Sequence, residues 1–447
     1  MAQHTDPSYL DEILDSSVAP EKYREWLKNG LGRAVLYLEL HDAGPYRVQI
    51  EYACVNSLVY DGQCEPSRAR FLMEILDRSG EFNHYADLIL KTYQSASPES
   101  DAMWELESST VALAKRVYPG AEDILFEVLD RAPVNGKEYY SNIFDVNSGR
   151  AFDLLSRRIM LMPDEQDRLD SVERVVDHLF EGERRYHGVN LEAIETTFSN
   201  HLSLLPYVRQ IVLKVKERRE DRPESTRPRR TYTYEGAKAT MNDPRVTRGL
   251  LGLRGYGRRM DKDSILALAR DFQQETRPEI IRPYIGIFAG ARYPLGHKRI
   301  LQHLQDEDAD FRRIVILALS LIRHPSLHKL SMQLYSEGRY AEAISLLESN
   351  FQPADVGLLV NAMSSDLSIP DWQLHQIGNS IIDGHKLLKS PFMVPALFAV
   401  YEHTPCSVCR GWTAEQLLSQ NSMPNWMRVE GEHDSGREDH IWNKPAK

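Results

Sequence analysis

Among residues whose types and spacing could do chemistry, the tightest set is Cys406-Ser407-Val408-Cys409. Thr404 is a suitable N-cap and Pro405 a suitable first helical residue, so the spacing predicts both thiols in the first turn of a helix. Backbone N–H groups at a helix start favour the thiolate, which is how paired cysteines become reactive in redox exchange. No βαβ pattern surrounds this pair, however, and Val408, Ala414 and Leu417 mark an apolar helix side, so two buried, inert thiols are the default reading. Zinc is the other use of such a pair, with His403, His433 and His440 the nearby imidazoles, but the intervals fit no standard finger. No metal site and no cofactor are therefore assigned, and a thiol or zinc function at Cys406 and Cys409 is the weaker alternative. Cys54 and Cys64, on separate early elements, read as core residues.

Other clusters fail on a missing partner. His324 and His328 are four apart, with His297 and His303 upstream, but Pro325 intervenes and the acidic residue of a metalloprotease helix is absent. Gly249, Gly252, Gly255 and Gly257 lie beside Arg254, Arg258 and Arg259 without the strand, or the Gly-Lys-Ser ending, that a phosphate loop needs; a hinge or a close helix crossing explains them better. Carboxylate pairs such as Glu105 with Glu107, or Asp306 with Glu307 and Asp308, fall on charged faces and turns. No nucleophile–base–acid order is present, so no catalytic residue is assigned and an enzyme is the lesser expectation.

Charge supplies the next clue. The 447 residues carry a formal net charge of −11, which argues against wholesale binding of nucleic acid or anionic lipid. Between Arg209 and Arg259, however, 15 Lys or Arg face 6 Asp or Glu, a local balance of +9 that leaves −20 for the rest. Arg227, Arg229, Arg230, Arg254, Arg258 and Arg259 are the candidates for an acidic protein partner. With Tyr232, Tyr234 and Tyr256 interleaved, the same stretch makes nucleic acid the alternative ligand. Four cysteines give no disulfide framework, no apolar run approaches the roughly 20 residues of a membrane span, and the first residues lack the pattern of a secretory signal. A cytoplasmic protein with no membrane association is expected.

The elements that must position these residues read as helices throughout, with no sustained period-two alternation. Short amphipathic helices alternate with turns over residues 1–220. Residues 221–244, with Pro223, Pro228 and several arginines, read as a basic linker or loop. Helical hairpins resume over 245–420, punctuated by Pro278, Pro294, Pro325, Pro353 and Pro370, and 421–447 read as a polar, partly disordered tail. Two places share an order of residues: Asp42, Pro45, Arg47, Ala53 and Leu58, and again Asp310, Arg312, Arg313, Ala318 and Leu319. That order resembles the HEAT family of paired-helix repeats, although Leu334 to Ala343 is also similar to a tetratricopeptide helix pair. The resemblance implies an all-α superhelix of HEAT-like hairpins in two halves, in which Asp and Arg knit neighbouring units. It also implies a non-enzymatic scaffold or adaptor that binds a protein partner through an extended surface.

Overall fold

Short helices whose apolar residues fall on one side cannot bury that side alone, and along much of the described chain a helix packs on its sequence neighbour and on the next but one. A computed structural model describes residues 9–62, 65–134, 141–180, 191–220, 232–241, 250–364 and 369–436; it is all-helical, with no strand among them. In one layer the helix Tyr9–Asp15 packs on Arg33–Leu40, that on Ala69–Arg78, and that on Met103–Lys115. In the other, Pro20–Asn29 packs on Arg47–Val55, then Phe82–Ser95, then Ala121–Arg131. The later chain repeats the scheme, with Leu250–Gly257, Pro278–Phe288, Ala309–Ser320, Tyr340–Leu347, Asp371–Leu388 and Ser407–Ser419 stacked in succession.

Helix ends follow their local chemistry. Asp164, Asp261 and Asp308 each cap a helix by accepting backbone N–H bonds, and Pro20, Pro278 and Pro325 occupy first-turn positions where no donor is lost. Ion pairs link successive hairpins: Arg78 to Glu39 at 2.7 Å, Arg116 to Asp77 at 2.8 Å, Arg150 to Glu122 at 2.9 Å and Arg282 to Asp308 at 2.6 Å. The residues of the shared sequence order act more locally. Arg47 bonds Glu51, Glu81 and His84, and Arg312 donates to the carbonyls of Asp306 and Glu307.

One hydrophobic core joins the beginning of the chain to its later part, running from Leu10 to Val215 and from Ala341 to Met427; a second spans Ala237 to Leu346. The seam between early and late helices is polar and fully enclosed. Arg33, 4% exposed, donates from Nε and Nη2 to the two carboxylate oxygens of Glu430, both at 2.8 Å, and reaches Glu402 at 3.2 Å. Arg410 grips Asp434 at 3.0 and 3.1 Å, and the Ser435 N–H donates to the Gly30 carbonyl at 2.9 Å. Gly32 is obligatory there, because a Cβ would lie 1.9 Å from the Glu430 carbonyl oxygen.

Two expected boundaries move. Tyr234–Met241, within the segment read as a linker, is a helix that buries Ala237 and Met241, with Tyr234 and Lys238 bonded to Asp271 at 2.6 and 2.9 Å. The tail begins with the helix Asn425–Gly431, whose Trp426 and Met427 are buried and whose Glu430 meets Arg33. A polar reading of the tail missed this because its charges are consumed as buried partners rather than solvated. Residues 221–231, 242–249 and 437–447 lie outside the described residues.

Candidate functional site

The helix Ser407–Ser419 starts two residues later than its sequence predicts. Cys406, in extended conformation, is the N-cap, while the Thr404 hydroxyl instead accepts the Cys406 N–H at 3.4 Å inside the preceding turn. The two thiols therefore flank the first turn, with Cys409 in the third helical position. Both are buried, Cys406 2% exposed and Cys409 not at all, and neither is in a disulfide.

The imidazole that meets them is His375, from the neighbouring helix Asp371–Leu388. One donor atom from each of His375, Cys406 and Cys409 lies within 4.8 Å of the others, and the Cys409 Sγ to His375 Nδ1 separation is 3.5 Å. Asn379, one turn along from His375, binds both partners: its Nδ2 stands 2.9 Å from His375 Nε2, and its Oδ1 accepts from the Cys409 thiol at 3.3 Å. The Tyr60 ring lies against His375, with centroids 5.0 Å apart. From the early chain, the Glu65 carboxylate accepts the Ser407 N–H at 3.0 Å, and Arg68 pairs with Glu65 while donating to the Pro405 carbonyl, both at 3.4 Å. The cluster thus sits where the turn after Arg47–Val55 meets two late helices.

The thiols are electrostatically unequal. A hydrogen bond from Cys409 holds the Cys406 thiol low, at about 5, against the opposing effect of burial, with His375 and the Cys409 backbone N–H assisting. Cys409 is raised, because it donates that bond and is itself buried.

The histidines nearest in sequence are elsewhere. His403 lies 4.0 Å from Glu25, its pKa lowered by burial; His433 bonds Glu74 at 2.6 Å; His440 lies outside the described residues. Cys54 is a buried core residue, its thiol raised by burial, and Cys64 lies outside the described residues. His324 caps a helix through Ser326, and His328 pairs with Asp355 at 3.0 Å, so both have structural work. Of the arginines, Arg227, Arg229 and Arg230 lie outside the described residues. Arg254 is half-buried, its pKa lowered by burial and by Arg258, with Glu348 and Asp383 among its neighbours. Arg258 and Arg259 are exposed, and Arg259 lies over the Tyr232 ring and donates to its hydroxyl.

The chain matches no protein-family model, and neither the curated proteins nor the solved structures give a match. What can be said rests on the residues themselves. Sequence reading missed His375 because it stands 31 residues before Cys406, on another helix, with no short spacing to flag it. The available signal was the pair His375 and Asn379, four apart, which places a possible ligand and a polar supporting side chain on the same side of one helix.

Proposed function

We propose that this protein is a non-enzymatic scaffold or adaptor, a superhelix of HEAT-like hairpins that binds a protein partner along an extended surface. The observation that carries the reading is the stacking of alternate helices, in two layers from Tyr9 to Arg131 and in one succession from Leu250 to Ser419. Such stacking grows a long face rather than a single deep pocket, and long faces bind other chains. Arg258 and Arg259, exposed at the end of Leu250–Gly257, extend a basic stretch that would take an acidic protein surface. Among the described residues no helix is long and apolar enough to cross a membrane.

The test is a pull-down from the native cell, followed by rebinding of the captured protein to wild type and to R258E/R259E. Wild-type binding that falls with salt, and a variant that binds about tenfold or more weakly with a shallower salt dependence, support the reading. Equal binding by both forms rejects the basic surface as the docking site. If purified single-stranded nucleic acid binds with a strong salt slope that the same variant abolishes, the nucleic-acid reading replaces it.

A further inference from the structure

We infer that His375, Cys406 and Cys409 form a zinc site that ties the helix Asp371–Leu388 to the start of Ser407–Ser419. The inference does not depend on the scaffold reading, since it concerns ligand chemistry in the interior rather than the outer surface.

Three features of the cluster fit the ion. The donor set, two thiolates and one imidazole, is a zinc set, and soft sulfur excludes magnesium and calcium as the natural occupants. The spacing is right as well. With Zn–S near 2.3 Å and Zn–N near 2.0–2.1 Å, tetrahedral angles put sulfur and nitrogen about 3.5 Å apart; Cys409 Sγ and His375 Nδ1 are separated by 3.5 Å. The third feature is the outer support. A ligating imidazole needs its other nitrogen fixed by an acceptor, and Asn379 is in place at His375 Nε2, 2.9 Å away. Turning the Asn379 amide over exchanges its two ends, which X-ray data at ordinary resolution would not distinguish. Oδ1 then accepts the Nε2–H, freeing Nδ1 to bind metal, and Nδ2 donates to the Cys409 thiolate where Oδ1 had accepted its proton. One side chain serves both states.

Binding balances without any further reactant. Zn²⁺ displaces the protons still held by the pair, those protons pass to solvent, and two thiolates neutralise the ion's charge. Glu65 and Arg68 already compensate each other beside the site, so the burial adds no net charge. The three ligands leave one tetrahedral position for a further donor.

The site lacks the proton carrier of the zinc deaminases. Zinc nucleobase deaminases use the same ligands, His with Pro-Cys-x-x-Cys, but rely on a glutamate two residues after the histidine to move protons. Here Pro405-Cys406-Ser407-Val408-Cys409 is present, yet that position is Ile377, fully buried and aliphatic. No proton carrier stands where such chemistry requires one.

The experiment uses full-length protein purified under reducing conditions without chelator. Elemental analysis should find about one zinc per chain, as a site with at least two thiolate ligands retains it through gel filtration. Substituting Co²⁺ should give visible d–d bands and a near-ultraviolet thiolate charge-transfer band whose intensity counts the sulfurs. C406S and C409S should each lose the charge-transfer signal in part and the double variant should lose it fully. N379A should keep the fold yet weaken competition against a chelator by about 10- to 100-fold, a loss that a merely structural asparagine would not produce. Zinc below stoichiometry even after reconstitution, with both thiols titrating freely in its presence, would overturn the inference. So would reversible Cys406–Cys409 disulfide formation with no metal uptake, which would make the pair a redox couple instead.

Discussion

Replacing Arg33 by Met asks how much of the fold depends on the contact between early and late helices. The guanidinium is 4% exposed, and the Glu430 and Glu402 side chains facing it are 0% and 10% exposed. Removing the cation leaves at least one carboxylate buried without compensation, which typically costs about 3–5 kcal/mol, against a total stability of the order of 5–15. The cost has a pH signature. Burial already raises the Glu430 carboxyl, with Arg33 opposing that shift; without Arg33 the shift grows. A carboxyl whose folded pKa lies above its unfolded one favours the folded state at low pH and loses that contribution as pH rises through the folded value. The R33M deficit should therefore be larger at pH 8 than at pH 5. The double variant R33M/E430L should recover roughly 1–3 kcal/mol relative to the sum of the single changes. Urea unfolding gives the totals, and hydrogen exchange resolved to peptides covering residues 23–38 and 425–436 shows whether both sides of the seam open together. An R33M protein within about 1 kcal/mol of wild type, or strictly additive single changes, would refute the assignment of this pair as a structural clamp.

Three other outcomes follow from different parts of the molecule. Burial, reinforced by Asp383, raises the Glu348 carboxyl to about 7, so it weakens the folded state as pH rises from about 4.5 to 7; Glu348→Gln should flatten that loss, worth ~3 kcal/mol, in stability measured against pH. At the crossing of Leu250–Gly257 with Pro278–Phe288, a Cβ on Gly257 would stand 2.1 Å from the Ile287 carbonyl oxygen and one on Gly290 1.9 Å from that of Arg254. Gly290→Ala should accordingly cost at least about 1–3 kcal/mol by chemical denaturation, and a neutral result would show that the helices can part without penalty. Arg282→Ala removes ion pairs to Asp306 and Asp308, 27% and 40% exposed, and a cation–π contact with Phe311, so a loss of no more than about 1–2 kcal/mol in the same assay is expected despite the 2.6 Å contact.

The helical character was legible because apolar periodicity is a local property. The glycines at 255 and 257 also signalled a close crossing, and Gly257 makes one; no atom beyond the helix lies within 4 Å of a Cβ at Gly255. The seam was not legible. Arg33 and Glu430 are 397 residues apart, and nothing in either neighbourhood distinguishes a buried charge from a solvated one. For the same reason, 421–436 read as tail. At the thiol cluster the two cysteines and their helix were legible, with the helix start displaced by two residues, but the histidine that meets them was not. Nearness along the chain selected His403 and His433, whereas stacking of alternate helices brings His375 to the cysteines across a separation of 34 residues from Cys409.

The enclosed pairing of Arg33 with Glu430 also sets a clock for biosynthesis. At about 5–20 residues per second, a ribosome needs roughly 20–80 s to travel from one to the other. During that interval the first helices have their own hairpin partners but lack the late segment that covers Gly32 and neutralises Arg33. A nascent chain stalled or cleaved before Asn425 would display that uncovered surface permanently. Holdase chaperones and proteases would therefore meet truncated products through the surface around Gly32 and Arg33, and a chain would escape them only once Asn425–Gly431 had been made.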